Sequence, residues 1–372
     1  MRIGIDAREL CGRATGVGRY LSGLLEEWSR STRARAHEFV LYVPDAPAVR
    51  LDTRQFAIRV VSGAAGTWWE QARAPRVAAD DHLDVWFAPA YSAPLTIGVP
   101  VALAVHDLSF FAHPEWFRIR EGVRRRWLTR AAVARAATVI TISQFSKREL
   151  MERLDVPEAK IAVIPPGIGN PSLAPRSPSG ARPSAAADQP EAASPRVLFV
   201  GSLFTRRHVP DLIRAFAPIA RAHPDAALDI VGDNRTHPRE DVRRVIALED
   251  LERQVVWHEY LGDAALHERY RTARAFAFLS EYEGLGLTPL EALAARVPPV
   301  LLDTPVARES CGDAALYVPL GNRRATTDAL TRALFDEEVR TRIERAAAAT
   351  LARYQWPRAA DATLSAIERA SG

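Results

Sequence analysis

Glu283 and Glu291, with seven residues between them, close the stretch Ser280-Glu281-Tyr282-Glu283-Gly284-Leu285-Gly286-Leu287-Thr288-Pro289-Leu290-Glu291. The apolar run Ala275 to Leu279 leads into it as a buried strand, two glycines allow a tight turn, and Thr288-Pro289 starts a helix. Thr288 suits the N-cap and Pro289 the first helical position, which leaves N–H groups between Gly284 and Leu290 available to an anion. Glu283 then sits on the loop and Glu291 one turn inside the helix, so the two flank a pocket. Taken alone, Glu291 reads more simply as part of a capping box, since Thr288-Pro289-Leu290-Glu291 fits that pattern. Glu283 has no helical role of that kind, and a solvated loop carboxylate is its simpler reading.

Three further segments carry groups of the same character. In Gly201-Ser202-Leu203-Phe204-Thr205-Arg206-Arg207, two cations follow a strand and a glycine. Thr15-Gly16-Val17-Gly18-Arg19-Tyr20 places two glycines before a helix, without the third glycine that a dinucleotide fingerprint requires at Leu21. His106-Asp107 follows the apolar run Val101 to Val105, where strands of α/β sheets end at ligands. A ligand with two phosphates suits these features, because each charge-assisted hydrogen bond adds roughly 1.5–3 kcal/mol. Each segment also has a plainer reading: a solvated arginine pair, a strand-turn-helix corner, and a histidine satisfied by backbone.

Positioning these groups requires alternating strands and helices. Short strands are expected at 3–5, 38–43, 58–61, 85–88, 101–105 and 138–142, and an amphipathic helix after Tyr20 presents Leu21, Leu24, Leu25 and Trp28 on one face. From Pro171 to Pro195 the chain is rich in proline, alanine and serine without apolar periodicity, which reads as a linker. Alternation resumes with strands at 197–200, 227–231, 255–257, 275–279 and 300–302 and a helix around 212–222. The expected organisation is α/β, with two Rossmann-like doubly wound domains facing across a cleft: 1–170, the linker 171–195, 196–350, and a C-terminal helix at 351–372 packing back on the first domain.

Composition excludes several classes. No apolar run approaches the roughly 20 residues needed to span a bilayer, and no signal peptide precedes the first strand, so a cytoplasmic protein is expected. Cys11 and Cys311 are isolated, and no metal site is expected. The net charge of +4 is carried by arginine, since Lys147 and Lys160 are the only lysines, and no nucleic-acid motif accompanies it. Trp116 to Arg130 mixes aromatics with six arginines in an expected helix. A solvated face is its simpler reading; peripheral contact with the inner face of the cell membrane, or with an anionic acceptor, is the functional one.

In the order and spacing of its motifs the chain resembles the GT-B glycosyltransferases of family 4, in the mannosyltransferase-like branch. Glu283 and Glu291 match that family's pair of glutamates; Val200-Gly201-Ser202-Leu203 with Arg206-Arg207 is similar to its glycine and basic segment; and Ile5-Asp6-Ala7-Arg8, His106-Asp107-Leu108-Ser109-Phe110, Thr141 to Lys147, Val231-Gly232 and Gly312-Asp313-Ala314-Ala315 agree. The resemblance implies a retaining, metal-independent transfer of a hexosyl group, mannose favoured, from a nucleotide-diphosphate sugar, GDP-mannose favoured, to a saccharide or polyprenyl-linked acceptor in cell-surface polysaccharide synthesis. The nucleotide sugar is a co-substrate, and no cofactor is implied. It further implies that Glu283 contacts the donor sugar hydroxyls or supports charge at the reacting carbon, and that Glu291 accepts hydrogen bonds from the ribose diol. Arg206 and Arg207 would neutralise the diphosphate, with Gly16, Gly18, Gly201, Gly232, Gly284, Gly286 and Leu287 lining the donor site. Tyr260-Leu261 would hold the base and His106 orient the sugar. Acceptor contacts would fall on loops such as Thr67-Trp68-Trp69. Three residues depart from the family pattern: Arg296 for a glycine after the helix, Pro299 for an apolar residue, and His208 for an asparagine. The alternatives are a sugar-nucleotide epimerase of similar fold, or a non-catalytic membrane or nucleic-acid binding protein.

Overall fold

In the computed structural model of the chain, residues 1–12, 15–49, 51–52, 54–169 and 195–372 are described. The expected linker, 171–195, lies outside the described residues apart from Pro195. The chain divides into two units, Met1–Pro171 with Tyr354–Gly372, and Ser172–Arg353.

The first unit is built on β1 (Arg2–Asp6), β2 (Glu38–Val43), β3 (Phe56–Val60), β4 (Val85–Ala88), β5 (Val101–Ala104), β6 (Thr138–Thr141) and β7 (Ile161–Val163). They form one parallel sheet in the order β3-β2-β1-β4-β5-β6-β7. β4 and β5 are buried at every residue, which is why Val85-Trp86-Phe87-Ala88 and Val101-Ala102-Leu103-Ala104 read as unbroken apolar runs. The helix Gly16–Arg30 covers one face with Leu21, Leu24, Leu25 and Trp28.

On that same face lies the chain's last helix, Trp356–Ala370, whose Ala359, Ala360, Leu364 and Ile367 join the core cluster of Ile3, Ile5 and Trp28. Trp28 Nε1 donates to the Ala360 carbonyl at 3.0 Å. The Trp356 ring lies against Gly23 and Gly167, and its Nε1 donates to the Gly169 carbonyl at 2.9 Å.

The second unit repeats the plan with β8 (Arg196–Val200), β9 (Ala227–Val231), β10 (Val255–His258), β11 (Ala275–Phe278), β12 (Pro299–Leu302) and β13 (Leu316–Val318), parallel in the order β10-β9-β8-β11-β12-β13. Pro299, a departure from the family pattern, is the first residue of β12, a position that asks no ladder donor of it. β7 and β13, each of three residues, have no counterpart among the expected strands. The helix expected around 212–222 begins at Val209. Among the described residues no helix is long and apolar enough to cross a membrane.

Candidate functional site

In both sheets the chain reverses its direction of progress beside the first strand, and in such sheets ligands lie beyond the carboxyl ends there. In the second unit those ends carry Gly201 after β8, Gly232 after β9 and the loop 279–286 after β11. Gly201 and Gly232 have φ of +145° and +148°. A Cβ on Gly232 would collide with the Gly201 carbonyl, so the two loops stack only because that side chain is missing.

The loops after β8 and β11 are tied residue by residue. The N–H of Glu281 donates to the Arg206 carbonyl at 3.0 Å, and Arg206 Nε donates to the Tyr282 carbonyl at 3.1 Å. Arg207 Nε donates to Glu283 Oε1 at 2.8 Å, Nη2 stands 2.8 Å from the same oxygen, and Nη1 donates to the Ser202 carbonyl at 2.8 Å. Ser280 Oγ donates to Glu283 Oε1 at 2.8 Å, so that oxygen is enclosed by donors. Arg207 also lies over the rings of Phe278 and Phe204, and Arg206 over Phe204. In this arrangement the charge of Arg207, one of the two cations expected to meet a diphosphate, is paired with Glu283.

The helix that follows is Leu287–Ala294, with Gly286 at its N-cap in the left-handed region, φ +85°. This corrects the expectation that Thr288 caps the helix and Pro289 opens it: both lie inside the first turn, and no side chain caps the helix. Glycine at 286 reaches a backbone angle that would strain other residues, and this moves the start upstream. Thr288 is therefore not the N-cap residue that a Thr288-to-Glu291 capping box requires, and Glu291 Oε2 accepts from Tyr270 Oη at 3.1 Å. Gly284 is buried and Leu287 is the first helical residue, while Tyr260 is 65% exposed and Leu261 half-buried just beyond β10.

At its other end this helix closes with Arg296 at φ +61°. Val297 N donates to the Ala292 carbonyl at 2.9 Å and Arg296 N to the Leu293 carbonyl at 3.0 Å, which is the Schellman pattern. Arg296 thus adopts the left-handed position where the family usually places glycine. His208 is left-handed too, φ +47°, a region in which asparagine and histidine are enriched. Its Nε2 stands 2.6 Å from Glu281 Oε1.

In the first unit, Gly16 and Gly18 are the first and third residues of their helix. Thr15 Oγ1 caps it by accepting from Gly18 N at 2.9 Å, and the same hydroxyl donates to Glu9 Oε2 at 2.8 Å. The chain neighbours and own helix of Gly16 aside, no heavy atom of the described residues lies within 4 Å of where a Cβ on it would stand. His106, beyond β5, is buried, and its Nε2 stands 2.7 Å from the Pro89 carbonyl, so this nitrogen carries the proton. Burial holds its pKa below the usual histidine value, against the upward pull of the Pro89 carbonyl and Asp107. Tyr20, on the helix that Gly16 opens, meets the His106 ring edge-on with centroids 4.8 Å apart. Of the expected acceptor loop, Trp68 is exposed, whereas Trp69 is a core residue donating to the Val61 carbonyl.

A cluster that the motifs did not single out lies at the end of β1. Arg8 Nη2 stands 2.5 Å from Glu70 Oε1 and 3.2 Å from Asp6 Oδ2, and Ser92 Oγ donates to Glu70 Oε1 at 2.7 Å. Asp6 and Glu70 are both 2% exposed. Burial pushes the Asp6 carboxyl up to about 6, with Glu70 adding and Arg8 opposing. Asp6 and Arg8 were visible only as part of Ile5-Asp6-Ala7-Arg8; Glu70, directly after the tryptophan pair, offered no local signal. Among the described residues no group of three or more His, Cys, Asp or Glu side chains is placed to share a metal ion.

Two parallel doubly wound units, with glycine turns, paired arginines and a helix start at the carboxyl ends of the second sheet, define a protein of the two-domain Rossmann-like α/β class. The sequence narrows this. Residues 14–169 match the family described as Glycosyltransferase Family 4, and residues 185–350 match Glycosyl transferases group 1. The chain belongs to the GT-B glycosyltransferases, as a family 4-like member. It is 30% identical over 261 residues to the D-inositol 3-phosphate glycosyltransferase of Kineococcus radiotolerans, covering 64% of this chain and 58% of that protein. It is 24% identical over 266 residues to O-antigen chain mannosyltransferase B of Escherichia coli, covering 71% and 68%. The structure of Anabaena HepE in complex with UDP-glucose superposes with a TM-score of 0.71 at 16% identity, covering 99% of each chain.

Proposed function

We propose that the chain is a retaining glycosyltransferase that moves a hexosyl group, mannose favoured, from a nucleotide-diphosphate sugar to a saccharide or lipid-linked saccharide acceptor. The observation that carries this reading is the pairing of Arg207 with Glu283 beside the glycine-led start of Leu287–Ala294. Cleaving a glycosyl diphosphate builds negative charge on the leaving phosphate. Fixed cations and backbone N–H groups aimed at that charge lower the barrier without a metal. Glu283 can accept from a sugar hydroxyl through its second oxygen while the first holds Arg207. Glu291 serves the ribose, with Tyr270 fixing its carboxylate. Retention follows if the departing phosphate oxygen takes the acceptor's proton on the face it leaves, so no protein base is assigned.

Mannose is favoured by the O-antigen mannosyltransferase among the relatives, and a UDP-sugar is kept as the second reading because HepE was solved with UDP-glucose. The test is incubation of the full chain with GDP-mannose or UDP-glucose, with and without lipid-linked saccharide acceptors and with chelator. Acceptor-dependent release of nucleoside diphosphate that survives chelation is expected. A change in the donor sugar without acceptor would make the protein an epimerase, and no release from any donor would sink the reading.

A further inference from the structure

The helix Ile119–Arg135 presents one face to its own unit and leaves another uncovered. Gly122, Leu128, Thr129, Ala132 and Val133 are buried. Ile119, Val123 and Trp127 are 83%, 53% and 62% exposed, and their spacing of four puts them in one row along the helix. With Arg120 and Arg124 they line a single shallow depression.

The arginines of this helix divide into two sets. Arg125 pairs with Glu121 at 2.9 Å, Arg126 donates to the Phe110 carbonyl at 3.1 Å, Arg130 lies over Phe111, and Arg135 donates to the Ile97 carbonyl at 3.4 Å. Those four are committed to the fold. Arg118, Arg120 and Arg124 are exposed and, among the described residues, have no ion-pair or hydrogen-bond partner for their guanidinium groups.

We propose that this face docks on an anionic lipid bilayer, with Ile119, Val123 and Trp127 entering the headgroup boundary and Arg118, Arg120 and Arg124 meeting lipid phosphates. An exposed apolar row with a tryptophan, rimmed by unpaired cations, fits the interface on both counts. It fits other occupants poorly. A two-fold pairing of this face with a second copy would set arginine against arginine. A nucleic acid would leave the isoleucine and valine in water. The inference stands apart from the sugar-transfer reading, because its test reads binding and not turnover.

The full chain is sedimented with vesicles of phosphatidylcholine alone and of phosphatidylcholine mixed with phosphatidylglycerol. Binding to the mixed vesicles, weakened by salt, is expected. Arg120→Gln with Arg124→Gln should lower the partition coefficient about 25-fold, at roughly fivefold per arginine. Trp127→Ser, alone and with Val123→Ser, should lower binding with the thermal unfolding midpoint unchanged, since both side chains are exposed. Equal binding to neutral vesicles, absence of vesicle binding, or variants that bind like the unmodified chain would overturn the proposal. So would a concentration-dependent dimer lost in Trp127→Ser, which would give the face to a second copy.

Discussion

Arg207 cannot serve Glu283 and a diphosphate equally well, and the competition can be measured. In the ligand-free chain its Nε and Nη2 are both 2.8 Å from Glu283 Oε1, and the two side chains are only 12% and 17% exposed. Replacing Glu283 with glutamine keeps the shape of the side chain and removes the charge. A charge-assisted hydrogen bond in such a place contributes about 1.5–3 kcal/mol, so a loss of stability of about 1–2 kcal/mol is expected without ligand, solvent access reducing the full value. The same change removes the carboxylate that competes with a diphosphate for the guanidinium, which keeps its bond to the Ser202 carbonyl. Glu283→Gln should therefore bind the nucleoside diphosphate at least as tightly as the unmodified chain while losing sugar transfer. Arg207→Ala should bind it roughly 10- to 150-fold more weakly, which is the same 1.5–3 kcal/mol expressed as affinity. Calorimetric titration with GDP and UDP, beside ligand-free thermal unfolding, separates the two effects. If Glu283→Gln weakened diphosphate binding as much as Arg207→Ala does, the two residues would not be competing and the assignment of Arg207 to the diphosphate would fall.

Arg296→Gly should stabilise the second unit by about 0.5–1 kcal/mol, because a left-handed arginine is strained and its contact with Glu344, at 3.5 Å between exposed groups, contributes little; an unchanged or lower unfolding midpoint would contradict the strain. Asp6 predicts a pH effect of definite sign. Its pKa is raised from 3.8 to about 6 by burial first, with Glu70 adding and Arg8 opposing, so its contribution to stability is complete below pH 3.8 and is lost as pH rises through about 6. Asp6→Asn imitates the protonated carboxyl and should unfold later than the unmodified chain above pH 6, by at most roughly 3 kcal/mol, with the two converging near pH 4; parallel unfolding curves across that range would refute it.

The strands were legible where burial on both faces makes a run apolar throughout, as in Val101 to Ala104 or Ala275 to Phe278. β7 and β13 were not, because three residues at or near a sheet edge leave too short a pattern to stand out from a loop. The helix start at Leu287 shows two local signals in conflict. Thr288-Pro289 is a good cap and first turn, but Gly286 takes a backbone angle that threonine cannot take cheaply, and the helix begins there. Glu291 makes its bond to Tyr270, 21 residues earlier on another helix, which no spacing rule within the motif can show. Glu70 reaches Arg8 across 62 residues through the packing of the segment 69–73 beyond the end of β1, and a lone carboxylate beside two tryptophans carries no mark of that. His106 lies just beyond the strand end, as expected from the run Val101 to Val105, and its Nε2 meets a backbone carbonyl, as its plainer reading had it.

The ties between the loops after β8 and β11 explain why the departures at 208 and 296 are compatible with one site. Arg206 bonds to Glu281 and Tyr282, Arg207 to Glu283, and His208 back to Glu281, through one backbone carbonyl and three side chains. Asparagine would hold the left-handed backbone at 208, but its amide is too short to repeat the reach of a histidine ring to Glu281. Histidine therefore adds a tie where asparagine supplies only a conformation. Arg296 works in the other direction: its backbone completes the Schellman pattern that glycine usually completes, and its side chain is exposed, 3.5 Å from Glu344. One departure strengthens the link between the two loops, and the other confines its strain to the far end of the helix those loops lead into.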